Sequence, residues 1–179
     1  NWADYDNDGF VDLFVANSVL SGSTRNTLYH NIGGTNFQNN AATNFVRVAA
    51  SPFSTDLMRV WAAAWADYNN DGNVDLIAAN LDGGTLAQRL YRNNGDGRFT
   101  AVVDSALRSD TNAATCPWWI DYDNDGKLDL FVGHYVRWSR EIDFEVGYKL
   151  VGIGRAYGQP MNFEGTFPSL YHNDGNGRF

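Results

Sequence analysis

The chain spells almost the same nine residues three times, DYDNDGFVD at 4–12, DYNNDGNVD at 67–75 and DYDNDGKLD at 121–129. These stretches begin 63 and then 54 residues apart, each entered through a Trp and left through a short apolar run such as Leu13-Phe14-Val15 or Leu130-Phe131-Val132. A second signature, L-Y-x-N-x-G-x-x-x-F, follows each of them, starting at Leu28, Leu90 and Leu170. Self-similarity of this kind marks a repeat architecture, in which one unit cannot bury its apolar face alone. The sequence divides into repeats at 1–66, 67–120 and 121–179.

Each repeat reads as β. Leu13 and Val15, like Leu130 and Val132, share one face of an alternating run. In the second repeat, Leu90-Tyr91-Arg92-Asn93, a Gly-Asp-Gly turn and the run from Arg98 to Val103 spell a hairpin. Trp61-Ala62-Ala63-Ala64-Trp65 is helix-prone by composition, but its counterpart Thr115-Cys116-Pro117-Trp118-Trp119 carries a proline and two aromatics, so both are expected as strands. Several short strands per unit of roughly 40 to 50 residues indicate propeller blades. The expected fold class is therefore all-β: propeller-type repeats, about three blades of an incomplete propeller, with cation loops between strands. The third repeat is longer, with an insertion at about 135–165.

The acidic stretches need a counter-charge. Three or four carboxylates within nine residues repel one another, and an oxygen-only set at two-residue spacing suits a hard cation such as Ca²⁺. The pattern D-x-[DN]-x-D-G-x-x-D offers side-chain oxygens at positions 1, 3, 5 and 9, a carbonyl at 7 and a turn glycine at 6. The expected ligands are Asp4, Asp6, Asp8, the Phe10 carbonyl and Asp12, with Gly9 at the turn. In the second loop they are Asp67, Asn69, Asp71, the Asn73 carbonyl and Asp75, with Gly72. In the third they are Asp121, Asp123, Asp125, the Lys127 carbonyl and Asp129, with Gly126. An EF-hand would need a glutamate at position 12, where Val15, Ala78 and Val132 stand instead. Solvated Asx-rich turns are the plain alternative. These loops hold 11 of the 21 acidic residues, so three bound Ca²⁺ would bring the formal charge from -8 to about -2. Asn69 removes a charge, which makes the second site the weakest expected.

Composition excludes other classes. With 13 scattered basic residues and a charge of -8, a nucleic-acid partner is not expected. No apolar run approaches the roughly 20 residues of a membrane span. A single cysteine, Cys116, rules out an internal disulfide framework and reads as a small buried hydrophobe.

The unit W-x-D-Y-[DN]-N-D-G-x-x-D-L-[FI]-[VA] followed by L-Y-x-N-x-G-x-x-x-F resembles the FG-GAP/VCBS repeat of integrin-α-type β-propellers. The segments HYVRWSREIDFEVGY and GRAYGQP resemble bacterial secreted proteins in which such repeats precede an ASPIC/UnbV domain. The resemblance implies calcium in inter-strand loops, extracellular, secreted or periplasmic placement, and a non-catalytic role in adhesion or protein contact. The family's propellers have about seven blades, against three incomplete ones here.

Other features have rival readings. Trp2, Trp65 and Trp119, with Tyr5, Tyr68 and Tyr122, suit packing between blades better than stacking on carbohydrate. His30 and His172 occupy equivalent signature positions and read as strand residues rather than as a zinc site. Glu141, Asp143 and Glu145 alternate on one face of a possible strand, and a solvated face suits them better than a glycosidase-type pair. No nucleophile elbow or phosphate loop is present. Two roles remain: a calcium-stabilised extracellular binding module whose partners are other proteins or copies of itself, and a subunit of a calcium-stabilised filament.

Overall fold

A computed structural model describes residues 1–18, 25–33, 44–49, 51–56, 58–81, 88–103 and 105–179. The part of the first L-Y-x-N signature beyond Gly33, including Phe37, lies outside the described residues.

The first repeat forms a four-stranded antiparallel sheet in the order β1 (Trp2–Ala3), β2 (Asp12–Val15), β3 (Thr27–Asn31), β4 (Phe45–Arg47). The second repeats it with β5 (Val60–Ala66), β6 (Asp75–Asn80), β7 (Arg89–Asn93) and β8 (Phe99–Ala101). Short helices α1 (Pro52–Thr55) and α2 (Ser105–Ser109) precede β5 and β9 (Ala114–Ile120) respectively. In the third sheet β10 (Asp129–His134) lies between β9 and β13 (Ser169–Tyr171). Because β5 and β9 precede the acidic loops, each later sheet begins one strand before the sequence boundaries at 67 and 121. Leu13, Leu76 and Leu130 face Tyr29, Tyr91 and Tyr171, so the register is the same in all three repeats.

The strands expected at 61–65 and 115–119 are both present. Pro117 is tolerated because β9 is an edge strand, where a missing N–H leaves no ladder bond unmade. The Ala-rich β5 is a strand because packing on both sides overrides local helix propensity.

The core lies between sheets. One cluster joins Tyr5, Phe14, Leu28 and Phe53 to Leu76, Ala78 and Tyr91 of the second repeat. A second joins Tyr68, Ile77 and Leu90 to Leu130 and Val132 of the third. The middle sheet thus buries both faces, and β6 has no residue exposed. The described chain is all-β in its architecture, three propeller-type sheets in succession without closure.

The insertion departs from expectation. Glu141, Asp143 and Glu145 lie on a helix, α3 (Arg140–Val146), and not on a strand. Ser139 caps it, accepting the Ile142 N–H at 3.2 Å, and Gly147 ends it in the left-handed region at φ 56°. Asp143 alone of the three acids is buried and pairs with Arg155. Arg155 belongs to a small hairpin, β11 (Lys149–Leu150) with β12 (Gly154–Arg155), and its guanidinium lies 4.2 Å from the Phe144 ring centre. Cys116 is half-buried rather than buried, because it sits on the edge strand with its sulfur against Gly133.

Candidate metal centre

The three acidic stretches fold alike. At position 1, Asp4 accepts the Asp8 N–H at 3.1 Å and the Gly9 N–H at 2.9 Å. Asp67 and Asp121 do the same for Asp71 and Gly72, and for Asp125 and Gly126. The position-5 carboxylate accepts the N–H two residues on: Phe10 at 2.8 Å, Asn73 at 2.9 Å and Lys127 at 2.9 Å. Closing so tight a loop puts position 4 in the left-handed region, where Asn7, Asn70 and Asn124 have φ of 58°, 57° and 60°. Asparagine tolerates that region better than most residues. The position-6 glycines follow at 90°, 86° and 84°, and a Cβ added to any of them would meet open space, so conformation and not crowding demands glycine there.

These turns gather carboxylates. Ligand atoms of Asp4, Asp6 and Asp8, and likewise of Asp121, Asp123 and Asp125, all lie within 4.8 Å of one another. Asp6 Oδ1 is buried and has no hydrogen-bond partner. Burial raises the Asp6 pKa; His30 pulls it down and the charges of Asp12, Asp8 and Asp4 push it up, and the net shift is upward. In the second loop Asn69 stands at position 3 and donates its amide to Asp71 at 3.0 Å. In the third, the Lys127 ammonium pairs with Asp125. That hydrogen bond is the largest of the effects that lower the Asp125 pKa.

Position 9 has a second duty. Asp12, Asp75 and Asp129 are at most 1% exposed. One oxygen accepts the N–H of Tyr5, Tyr68 or Tyr122, and the other accepts that of Asn31, Asn93 or Asn173 at 2.7 Å. The asparagine returns the contact: its amide donates to the carbonyl of Val11, Val74 or Leu128, and its oxygen accepts the N–H of Gly33, Gly95 or Gly175. The two sequence signatures recur together because each fastens the other. Burial pushes the Asp75 carboxyl up to about 7, Asp71 and Asp67 adding to the effect against hydrogen bonds from Asn93 and Tyr68.

Sequence reasoning missed the histidines as part of this site. His30 Nδ1 lies 3.1 Å from Asp6 and 3.3 Å from Asp12, and His172 Nδ1 lies 3.5 Å from Asp123 and 3.2 Å from Asp129. Each imidazole therefore joins two loop carboxylates in a cluster of metal-ligating type. The signal was the x of L-Y-x-N, which is His, Arg and His in the three repeats and so always places a cationic or proton-accepting group beside the loop.

Successive antiparallel sheets, each carrying its own acidic loop, define a blade-type repeat protein. The chain belongs to the FG-GAP-like repeat family, whose model matches residues 4–78 and 67–132. Repeats of this family are typical of extracellular proteins, often bind Ca²⁺ and are generally not enzymatic. The insertion lies beyond the matched segments. No curated protein matches the chain. None of the described helices is long and apolar enough to cross a membrane.

Proposed function

We propose that the chain is a non-catalytic extracellular module in which Ca²⁺ rigidifies the blade loops and so fixes surfaces for adhesion or protein contact. The observation that carries this reading is the carboxylate cluster shared by the first and third loops, with a buried, unpartnered oxygen, Asp6 Oδ1, in the first; among the described residues the second loop, with Asn69 at position 3, forms no such cluster. Residues at positions 1, 3 and 5 would hold the cation, with position 9 and the carbonyls of Phe10, Asn73 and Lys127 completing the oxygen set. A divalent cation supplies the positive charge that the crowded carboxylates otherwise lack. Position 9 ties the loop to the L-Y-x-N hairpin, so a cation that orders the loop also orders the sheet behind it.

Extracellular calcium is millimolar, and sites of about 10⁻⁴ M would stay filled there, each adding about 1–2 kcal/mol of stability. The test is calorimetric titration of the chain with Ca²⁺ after chelation. The reading expects nearly three equivalents, with the second loop weakest because Asn69 replaces a carboxylate. No heat and no saturable binding at millimolar Ca²⁺ would refute it.

A further inference from the structure

We propose that the first and third loops each hold a transition-metal ion of the Zn²⁺ class, bound by one imidazole and two carboxylates: His30 with Asp6 and Asp12, and His172 with Asp123 and Asp129. The proposal rests on the reading that these loops take divalent cations and goes further in naming which metal two of them prefer. Ligand spacing carries it. His30 Nδ1 lies 3.1 Å from Asp6 and 3.3 Å from Asp12, and His172 Nδ1 lies 3.5 Å from Asp123 and 3.2 Å from Asp129. Zn²⁺ holds nitrogen and oxygen ligands at about 2.0–2.2 Å, so neighbouring donors in a tetrahedral shell stand about 3.4 Å apart. The three ligand atoms of each set lie within 4.8 Å of one another. His172 Nδ1 is buried and has no hydrogen-bond partner among the described residues, although a carboxylate oxygen stands 3.2 Å from it. A nitrogen so near an oxygen, yet not aligned to bond it, points with that oxygen at a third place, where an ion would sit. Asp6 Oδ1 in the first loop is buried and unpartnered too.

Each ligand is held from behind. Asp12 and Asp129 are at most 1% exposed, and the oxygen nearest the imidazole accepts the N–H of Asn31 or Asn173 at 2.7 Å. Each imidazole packs edge-on against the tyrosine at position 2 of its own loop, with ring centres 6.1 Å apart for Tyr5 and 5.9 Å for Tyr122. The other ring nitrogen, Nε2, faces Asp8 at 3.8 Å in one repeat and Asp174 at 3.9 Å in the other. A carboxylate on that side favours the proton on Nε2 and leaves the Nδ1 lone pair to ligate.

The second repeat differs at both key positions at once. There Arg92 stands in place of the histidine and Asn69 in place of the position-3 aspartate. Imidazole and carboxylate are lost together, as two parts of one ligand set would be. A guanidinium has no lone pair to offer, and Asn69 turns its amide on Asp71 at 3.0 Å. The middle loop is left with an oxygen set alone. Imidazole suits zinc, copper, iron and nickel, whereas calcium takes six to eight oxygens, so histidine beside two of the three loops divides the metals between them.

The test is calorimetric titration of the chelated chain with Zn²⁺, with Ca²⁺, and with Zn²⁺ in millimolar Ca²⁺, together with ¹⁵N spectra of the histidine rings. Zn²⁺ should bind at two equivalents, at least ten-fold more tightly than Ca²⁺, and displace Ca²⁺ from those two loops. The Nδ1 resonances of His30 and His172 should shift, while His134, whose nitrogens already face Asp110 and the Phe167 carbonyl, should not. His30→Asn and His172→Asn should each remove one Zn²⁺ equivalent, weakening Zn²⁺ at that loop at least ten-fold more than Ca²⁺. Ca²⁺ filling the loops with Zn²⁺ binding no more tightly would overturn the proposal and leave the calcium reading standing. Zn²⁺ uptake by the variant carrying both changes that equals that of the unaltered chain would overturn the proposal as well. Two Zn²⁺ equivalents with no Ca²⁺ binding would support it and overturn the calcium reading.

Discussion

Asp129 is fully buried, and its two oxygens accept backbone N–H groups from Tyr122 and Asn173. Asp129→Ala leaves both donors without that partner, which should cost about 2–4 kcal/mol. Urea unfolding in chelator measures it, and a loss under about 1 kcal/mol would contradict this account of the loop. Position 6 tests geometry instead of bonding. Gly126 sits at φ 84°, so Gly126→Val strains the turn and should weaken Ca²⁺ binding at the third site by ten-fold or more. Lys127→Ala keeps the carbonyl and removes a positive charge from Asp125, so affinity there should hold or rise. Titrations in which both variants bind equally would exclude the proposed ligand set. At this scale the spacing of acids and glycines was legible, because a turn this tight constrains residue type strongly. The double role of position 9 was not, since its hydrogen bonds reach partners as far as 44 residues away.

The insertion is anchored by one imidazole. His134 Nε2 lies 2.9 Å from Asp110, its Nδ1 lies 2.7 Å from the Phe167 carbonyl, and Tyr171 donates its hydroxyl to the same carboxylate. With acceptors at both nitrogens the ring is best satisfied when doubly protonated. Burial opposes that charge, yet the bonds to Asp110 and Phe167 raise the His134 pKa above its ordinary value. Burial likewise opposes the Asp110 charge, yet the bonds from His134 and Tyr171 hold its pKa down to about 2. The signs differ. Stability from Asp110 is present above its unfolded pKa near 4 and is lost as pH falls through about 2; stability from His134 is present below about 6.5 and is lost as pH rises through its raised folded value. The clamp is therefore complete between about pH 4 and 6.5. Amide exchange should show the 135–168 segment best protected in that window and loosened at about pH 9. Equal protection at about pH 6 and pH 9 would contradict it. His134→Ala should cost about 1–3 kcal/mol, since it removes the cationic partner of a buried carboxylate that keeps the bonds from Tyr171 and Asn112. The strands of this repeat were legible from their match to the other two. The helix at 140–146 was not, because three alternating acids satisfy a strand pattern as well, and only the Ser139 cap and Gly147 stop argue for a helix.

Across the molecule, the chain is three sheets stacked through apolar faces and stitched by asparagines that reach from one repeat to the next. The threefold sequence match made that architecture legible, since equivalent residues must do equivalent work in each unit. Which face of a sheet meets which neighbour was not legible, because alternation fixes two faces without saying what covers either. Stability here is a property of junctions as much as of sheets. Asn173→Ala removes the bonds to Tyr68 and Leu128 and the one accepted from Gly175 at once and should cost about 1–3 kcal/mol. Chemical denaturation should register it as a lower midpoint at unchanged slope. The acidic loops close each sheet at the same end of its strands, so a cation bound there acts on the whole stack. The most direct measurement is thermal unfolding of the chain in millimolar Ca²⁺ and again in chelator at the same ionic strength. Three filled sites of about 10⁻⁴ M should raise Tm by about 10 °C; an identical Tm in the two conditions would contradict the claim that calcium holds these blades.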